Sequence, residues 1–214
     1  MKNNLQIEKT LLDDTTVQVV EKYTQPRYSA RIFNNCQEMC EEVAEGIKSD
    51  CKIYVKPTGN FSSLLTFEVD REVFTGKTLA EDLAIYQKLL DKEFGKGKYE
   101  AFVLGAYIHS GTSFSINKCG NTVCRFDSSN LGFIGLPVKE EDTNYGNSAA
   151  HAENVAQDLT DAWEGNYHEY QVVDNLTNDV IDSICTADYD EQNKFSAQAK
   201  EKYNVDFEDV EVIY

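Results

Sequence analysis

Apolar positions along the chain recur with two periods, and the switches between them mark out the elements. Over Thr15 to Tyr23, Val17 and Val19 alternate with Thr16, Gln18 and Val20, which predicts a half-buried strand closed by Pro26. Cys36, Met39, Cys40, Val43 and Ile47 then recur at helical spacing opposite Glu41, Glu42 and Glu45, with Asn35 and Glu38 at capping-box distance. Cys51, Ile53 and Val55 alternate with Lys52, Tyr54 and Lys56. After Pro57-Thr58-Gly59-Asn60 the run Phe61, Ser63, Leu65, Phe67, Val69 alternates again, so the pattern predicts a β-hairpin. Thr78 and Glu81 form a second capping box before a stripe of Leu79, Leu83, Tyr86, Leu90 and Phe94 that stops at Gly95.

Gly95-Lys96-Gly97-Lys98 is the natural place for an internal boundary, since it joins flexible and charged residues between two clear elements. Beyond it the character becomes strand-rich. Tyr99 to His109, Ser113 to Lys118, Thr122 to Phe126 and Leu131 to Val138 are separated by Gly-, Asn- and Ser-containing turns and predict an antiparallel meander. A third helix is expected from Ser148 to Glu164, with Ala152, Val155, Ala156, Leu159 and Trp163 on one face and Gly165 at its end. Tyr167 to Val173 and Val180 to Ile184 read as strands, Ala197 to Tyr203 as a short helix and Val210 to Tyr214 as a last strand. The expected fold is α+β, mainly antiparallel sheet with three or four helices, in two similar-sized halves: residues 1–96, a strand-helix-hairpin-helix half, and residues 97–214, strand-rich with an acidic final third.

Composition narrows the class. In 214 residues, 41% hydrophobic content and only 3 prolines describe a folded globular protein, not a disordered or fibrous one. No apolar run approaches the roughly 20 residues needed to cross a bilayer, and the first residues lack a secretory leader pattern, so a cytoplasmic protein that does not enter membranes is expected. Charge is uneven. Residues 1–138 carry 16 Lys and Arg against 18 Asp and Glu, while residues 139–214 carry 4 against 19, so nearly all of the net −17 lies at the C-terminal end. That balance disfavours direct binding to nucleic acid or anionic lipid and fits either a solubilising surface or a docking face for a basic partner.

Candidate chemistry concentrates in the meander, where hairpin folding could join Tyr107-Ile108-His109-Ser110-Gly111, Cys119 to Cys124 and Arg125-Phe126-Asp127-Ser128. Cys119, Cys124 and His109 with one of His151, His168 or Cys185 would meet the ligand count for zinc, but Cys119 and Cys124 have four residues between them where zinc pairs usually have two. Cys124 or Cys185 with His109 and Asp127 supplies the residue types of a thiol nucleophile and its base. Both cysteines lie in apolar contexts that raise a thiol pKa, and a structural His109–Asp127 pair pinning two turns is the plainer reading. Phosphate-binding loops, dinucleotide fingerprints, His-Glu-x-x-His and Gly-x-Ser-x-Gly are all missing from the sequence, so no cofactor and no metal is expected. The acidic runs at 188–191 and 206–211 lack the spacing of a calcium loop.

Short motifs in the second half resemble a family of uncharacterised small proteins encoded by bacteriophages and conjugative elements. The similar segments are His109-Ser110-Gly111, Cys124 to Ile134 (with Asp127-Ser128 and Gly132-Phe133-Ile134), Trp163-Glu164-Gly165-Asn166-Tyr167 and Asp182-Ser183-Ile184-Cys185. Arg125, Phe126 and Ser129 replace a proline, tryptophan and glycine of the family pattern, and Thr186-Ala187 stands where Gly-Phe would follow. The resemblance implies a mobile-element origin and a shared sheet-based domain, without an activity to carry over.

The expected function is therefore a non-catalytic phage or mobile-element binding protein. Its acidic surface would occupy a basic host protein, such as the nucleic-acid channel of a defence nuclease, through Asp158, Asp161, Glu164, Asp188, Asp190 and Glu191. The competing class is a small-ligand-binding protein or enzyme built on His109, Asp127, Ser128, Cys124 and Cys185, and a third is a virion structural or assembly component. The sequence leaves oligomeric state open.

Overall fold

The computed structural model of the chain describes residues 5–12, 16–23, 26–56, 60–119, 127–138, 148–208 and 210–213. In chain order the first elements are β1 (Leu5–Leu12), β2 (Thr16–Tyr23), β3 (Tyr28–Phe33), α1 (Gln37–Asp50), β4 (Lys52–Val55) and α2 (Leu79–Phe94). They are followed by β5 (Tyr99–Ile108), β6 (Thr112–Asn117), β7 (Ser128–Pro137), α3 (Ser148–Glu164), β8 (His168–Asp174), β9 (Val180–Thr186), α4 (Tyr189–Tyr203) and β10 (Val212–Ile213). Two four-stranded sheets with mainly antiparallel pairing and four helices make this an α+β fold. Residues 37–167 form one compact unit; residues 1–36 and 168–214, distant in sequence, form the other. The division expected at 96/97 falls inside the first of these units, because Leu90 and Phe94 of α2 share a core with Ala101 and Val103 of β5 across the Gly95–Lys98 link.

In the 37–167 unit the sheet has the order β4-β7-β5-β6, antiparallel throughout. One face carries Ile53, Phe102, Leu104, Phe114, Ile116 and Ile134 against Ile47 of α1 and Ala152, Val155 and Leu159 of α3. The opposite face carries Tyr54, Val103 and Phe133 against Tyr86 and Leu90 of α2. Helices on both faces explain why Ala101 to Ala106 is a continuous apolar run without alternation: every side chain within that run is buried in a core. Thr78 caps α2 by accepting the Glu81 amide at 3.1 Å, and Gly95 ends it at φ 103°, a conformation that costs glycine little.

The second strand expected at 61–69 is not formed, and its turn at 57–59 lies outside the described residues. A 3₁₀ turn over Ser62–Leu64 places Phe61 and Leu64 in the α1/α3 core, whereas Phe67 and Val69 join the α2 core. The segment thus wraps the open edge of β4 from one face of the sheet to the other, so alternating apolar residues serve two cores. At the crossing, Thr66 Oγ1 accepts the Ile53 amide at 2.7 Å and donates to the Cys51 carbonyl at 3.0 Å, and the Thr66 and Phe67 amides both reach the Ile53 carbonyl.

In the other unit the sheet order is β10-β3-β8-β9, with β10 parallel to β3. Phe195 and Ala199 of α4, with Val205 and Phe207 beyond it, cover Ile32 and Val172. The helix expected at 197–203 begins eight residues earlier, because Asp188 caps it by accepting the Asp190 and Glu191 amides. It ends at Asn204 in the left-handed region, φ 56°. The expected strand at 210–214 reduces to Val212 and Ile213. β1 and β2, of which only β2 is legible as a strand in the sequence, pair antiparallel as a separate two-stranded ribbon. The expected strand Thr122 to Phe126 lies outside the described residues.

Candidate functional site

Two groups of residues were candidates, and the fold treats them differently. The polar group sits where β5 ends, β6 begins and β7 begins. The Ile108 amide donates to the Asp127 carbonyl at 2.9 Å, and the His109 amide to the Gly111 carbonyl at 3.1 Å, closing a tight turn. His109 Nδ1 lies 3.8 Å from Asp127 Oδ2, an ion-pair distance beyond hydrogen-bond length, with the imidazole largely exposed. Ser128 is opposite Tyr107 in the β5–β7 ladder, so His109, Asp127 and Ser128 share one end of the sheet as the sequence suggests. Among the described residues, the Ser128 hydroxyl is buried without a hydrogen-bond partner, as is that of Ser115 on β6. An orphaned buried hydroxyl costs about 1–3 kcal/mol.

Cys185 lies on β9, in the other unit, and Cys124 lies outside the described residues. Cys119 is exposed, and its amide donates to Asn117 Oδ1 at 3.0 Å. Cys40 and Cys51 are buried, as thiols acting as small hydrophobes are; burial pushes Cys51 up to about 12. Among the described residues, no three His, Cys, Asp or Glu side chains converge on a metal position.

The acidic group divides into carboxylates with structural work and carboxylates without. β6 is an edge strand, and α3 runs beside it: the Phe114 amide donates to Thr160 Oγ1 at 2.9 Å and the Thr112 amide to Glu164 Oε1 at 2.7 Å. Two side chains one helical turn apart thereby satisfy two outward amides two residues apart on the strand. Glu164, expected at a partner surface, is thus engaged in closing the sheet edge. Asp161 accepts from Gln157 Nε2 and Asn166 Nδ2 and fastens the end of α3. Asp188 is the cap of α4, and Glu191 accepts from Thr186 Oγ1 at 2.8 Å. Asp158 and Asp190 are exposed, as is Glu153, which the helical spacing of α3 could have flagged.

Asp158 is electrostatically the most distinctive of these. Although the side chain is exposed, its carboxyl is partly desolvated, and this, followed by Asp161 three residues on, pushes it above the ordinary range, with His151 opposing. Four Asp and Glu residues and no Lys or Arg lie on α3. No protein-family model, curated protein or solved structure matches the chain.

Proposed function

We propose that this is a non-catalytic binding protein of a phage or mobile element whose acidic surface docks a basic host protein, of the kind represented by a defence nuclease. The observation that carries the reading is the solvent side of α3: Glu153 and Asp158 stand exposed on a helix without Lys or Arg, and Asp158 is held against the preference of its own carboxylate. Like charges at helical spacing cost a few tenths of a kcal/mol, a cost that a basic partner would turn into attraction. Asp190, exposed in the first turn of α4, is a separate candidate carried by the other unit. Asp161, Glu164, Asp188 and Glu191 hold structure and take at most a secondary part.

The experiment is affinity capture from infected host lysate at low and high salt, using the native protein and a Glu153→Lys/Asp158→Lys/Asp190→Lys variant. A basic protein retained by the native chain at low salt and lost with the variant supports the reading, since screening weakens exposed charge contacts beyond about 8 Å at physiological salt. Equal retention by both proteins counts against it. The second reading, a small-ligand or catalytic site at His109, Asp127 and Ser128, draws on the 3.8 Å His109–Asp127 approach and on a buried Ser128 hydroxyl without a partner among the described residues. A thermal-shift screen in which a ligand stabilises the native chain but not His109→Ala would favour it.

A further inference from the structure

The face of the 37–167 sheet that packs on α2 changes character beyond the row of Val103 and Phe133. In the next two rows Gly105 lies opposite Ser115 and Asn130, and Tyr107 opposite Ser113 and Ser128. A glycine, a tyrosine ring and neutral polar side chains thus share that face. A β-bulge puts two of them there. The register shifts between Leu104 and Gly105, and Leu131 packs against the α1/α3 core on the other face. Without the shift, alternation from Phe133 would place Leu131 and Ser129 where Asn130 and Ser128 now stand. Ser113 and Asn130 are exposed and Tyr107, Ser115 and Ser128 half-buried, so solvent reaches the rim of the patch. The Ser115 and Ser128 hydroxyl oxygens are nevertheless sealed from solvent and, among the described residues, have no hydrogen-bond partner.

We infer that this patch binds a neutral, hydroxyl-rich small molecule of the sugar class, with Ser115 and Ser128 as hydrogen-bonding groups and the Tyr107 ring against its C–H surface. A hydroxyl both donates and accepts, so each unpartnered Oγ matches a ligand hydroxyl in either sense. The patch carries neither a carboxylate nor a basic side chain, so no ion pair there favours a charged ligand. Gly105, between Ser115 and Asn130, adds no side chain to fill the space between them. Two buried hydroxyls left unsatisfied destabilise the free chain, and a bound polyol that pairs them reverses that cost. The inference deepens the small-ligand reading and rests on it for Ser128; it is independent of docking through α3.

The test is proton–nitrogen correlation NMR of the full chain titrated with glucose, galactose, N-acetylglucosamine and glycerol, with melting temperatures measured alongside. At least one of these should move the Gly105, Ser115 and Ser128 amides together with a Kd of about 1–10 mM, the weak affinity expected of a few hydrogen bonds to a small solute. Ser115→Ala/Ser128→Ala should lose about tenfold or more in affinity yet melt no lower than the native chain, because alanine removes the buried hydroxyls without stranding a partner. Three results overturn the inference: no probe moves these amides, the double variant binds as the native chain does, or the double variant melts lower, which would reveal partners within the fold. His109→Ala separates the patch from the reading that it deepens. Binding kept by His109→Ala and lost by the double variant supports the patch and removes His109 from the site. Binding lost with His109→Ala and kept by the double variant overturns the patch and leaves the histidine-centred site standing.

Discussion

The Glu164 carboxylate accepts the Thr112 amide at 2.7 Å, and Gly111 beside it leaves the room that the carboxylate occupies: a Cβ at position 111 would lie 2.7 Å from Glu164 Oε2. The turn before β6 and the end of α3 therefore meet through one hydrogen bond at the edge of a sheet. Glu164→Ala should lower stability by about 1 kcal/mol, since it strips an amide of its acceptor at an exposed edge. Glu164→Gln should recover much of that loss, and Gly111→Ala should resemble Glu164→Ala because the carboxylate must move away. Urea denaturation of the three variants checks this. A Gly111→Ala protein as stable as the native one would separate the two residues.

Gly132 and Gly135 on β7 predict different penalties for the same substitution. A Cβ at Gly132 would run into the backbone carbonyl of Tyr54 on β4, whereas at Gly135 it would meet Leu90 Cδ1 of α2 at 2.7 Å. Backbone cannot yield without breaking the β4–β7 ladder, but a leucine can change rotamer. Gly132→Ala is expected to cost about 3 kcal/mol and Gly135→Ala about 1–2 kcal/mol. Equal denaturation midpoints for the two would contradict the distinction.

These residues also show what the sequence could and could not reveal. Helix α2 was legible from its cap, stripe and terminal glycine and α3 from its stripe and Gly165, all of them local signals. The 61–69 segment was not, since its period of two arises from serving two cores around an edge, a feature of tertiary packing that mimics a strand. The start of α4 was obscured by its own cap: Asp188, Asp190 and Glu191 read as a solvated acidic run although Asp188 and Glu191 stand at capping-box spacing. For the candidate sites, residue types were visible but engagement was not. Nothing local distinguishes Glu164, hydrogen-bonded to a strand 52 residues away in sequence, from Glu153, which is exposed.

Alkaline pH should expose the core thiol. Cys51 is raised from 9.0 to about 12, chiefly by burial and further by Asp50, so between those values the unfolded chain loses a proton that the folded chain keeps. Its contribution is intact below pH 9 and is lost as pH rises toward 12, at up to about 1.4 kcal/mol per pH unit. Tyr86, whose hydroxyl donates to the Lys52 carbonyl at 2.6 Å and whose pKa is also raised by burial, adds to the slope above pH 10. Denaturation midpoints at pH 8, 9 and 10 should therefore fall for the native chain. Cys51→Ala should start less stable at pH 8 and fall less between pH 9 and 10. Parallel declines would remove Cys51 as the cause.

Asp158 offers the sharpest separation of stability from function. Because burial and Asp161 raise its carboxyl pKa, the folded chain holds a proton there more tightly than the unfolded chain does. The ionised form present at neutral pH is thus a small liability, relieved as pH falls through the carboxyl range. Asp158→Asn keeps the shape and removes the charge. It should leave the melting temperature unchanged or raise it by a degree or two, the gain expected from deleting one unfavourable helical pair. If the residue is kept for docking, the same substitution should reduce capture of a basic partner several-fold at low salt, with the difference closing at high salt. Loss of stability would mean that Asp158 holds the fold. Unchanged capture together with unchanged stability would mark it as ordinary solvated surface and remove α3 from the interface.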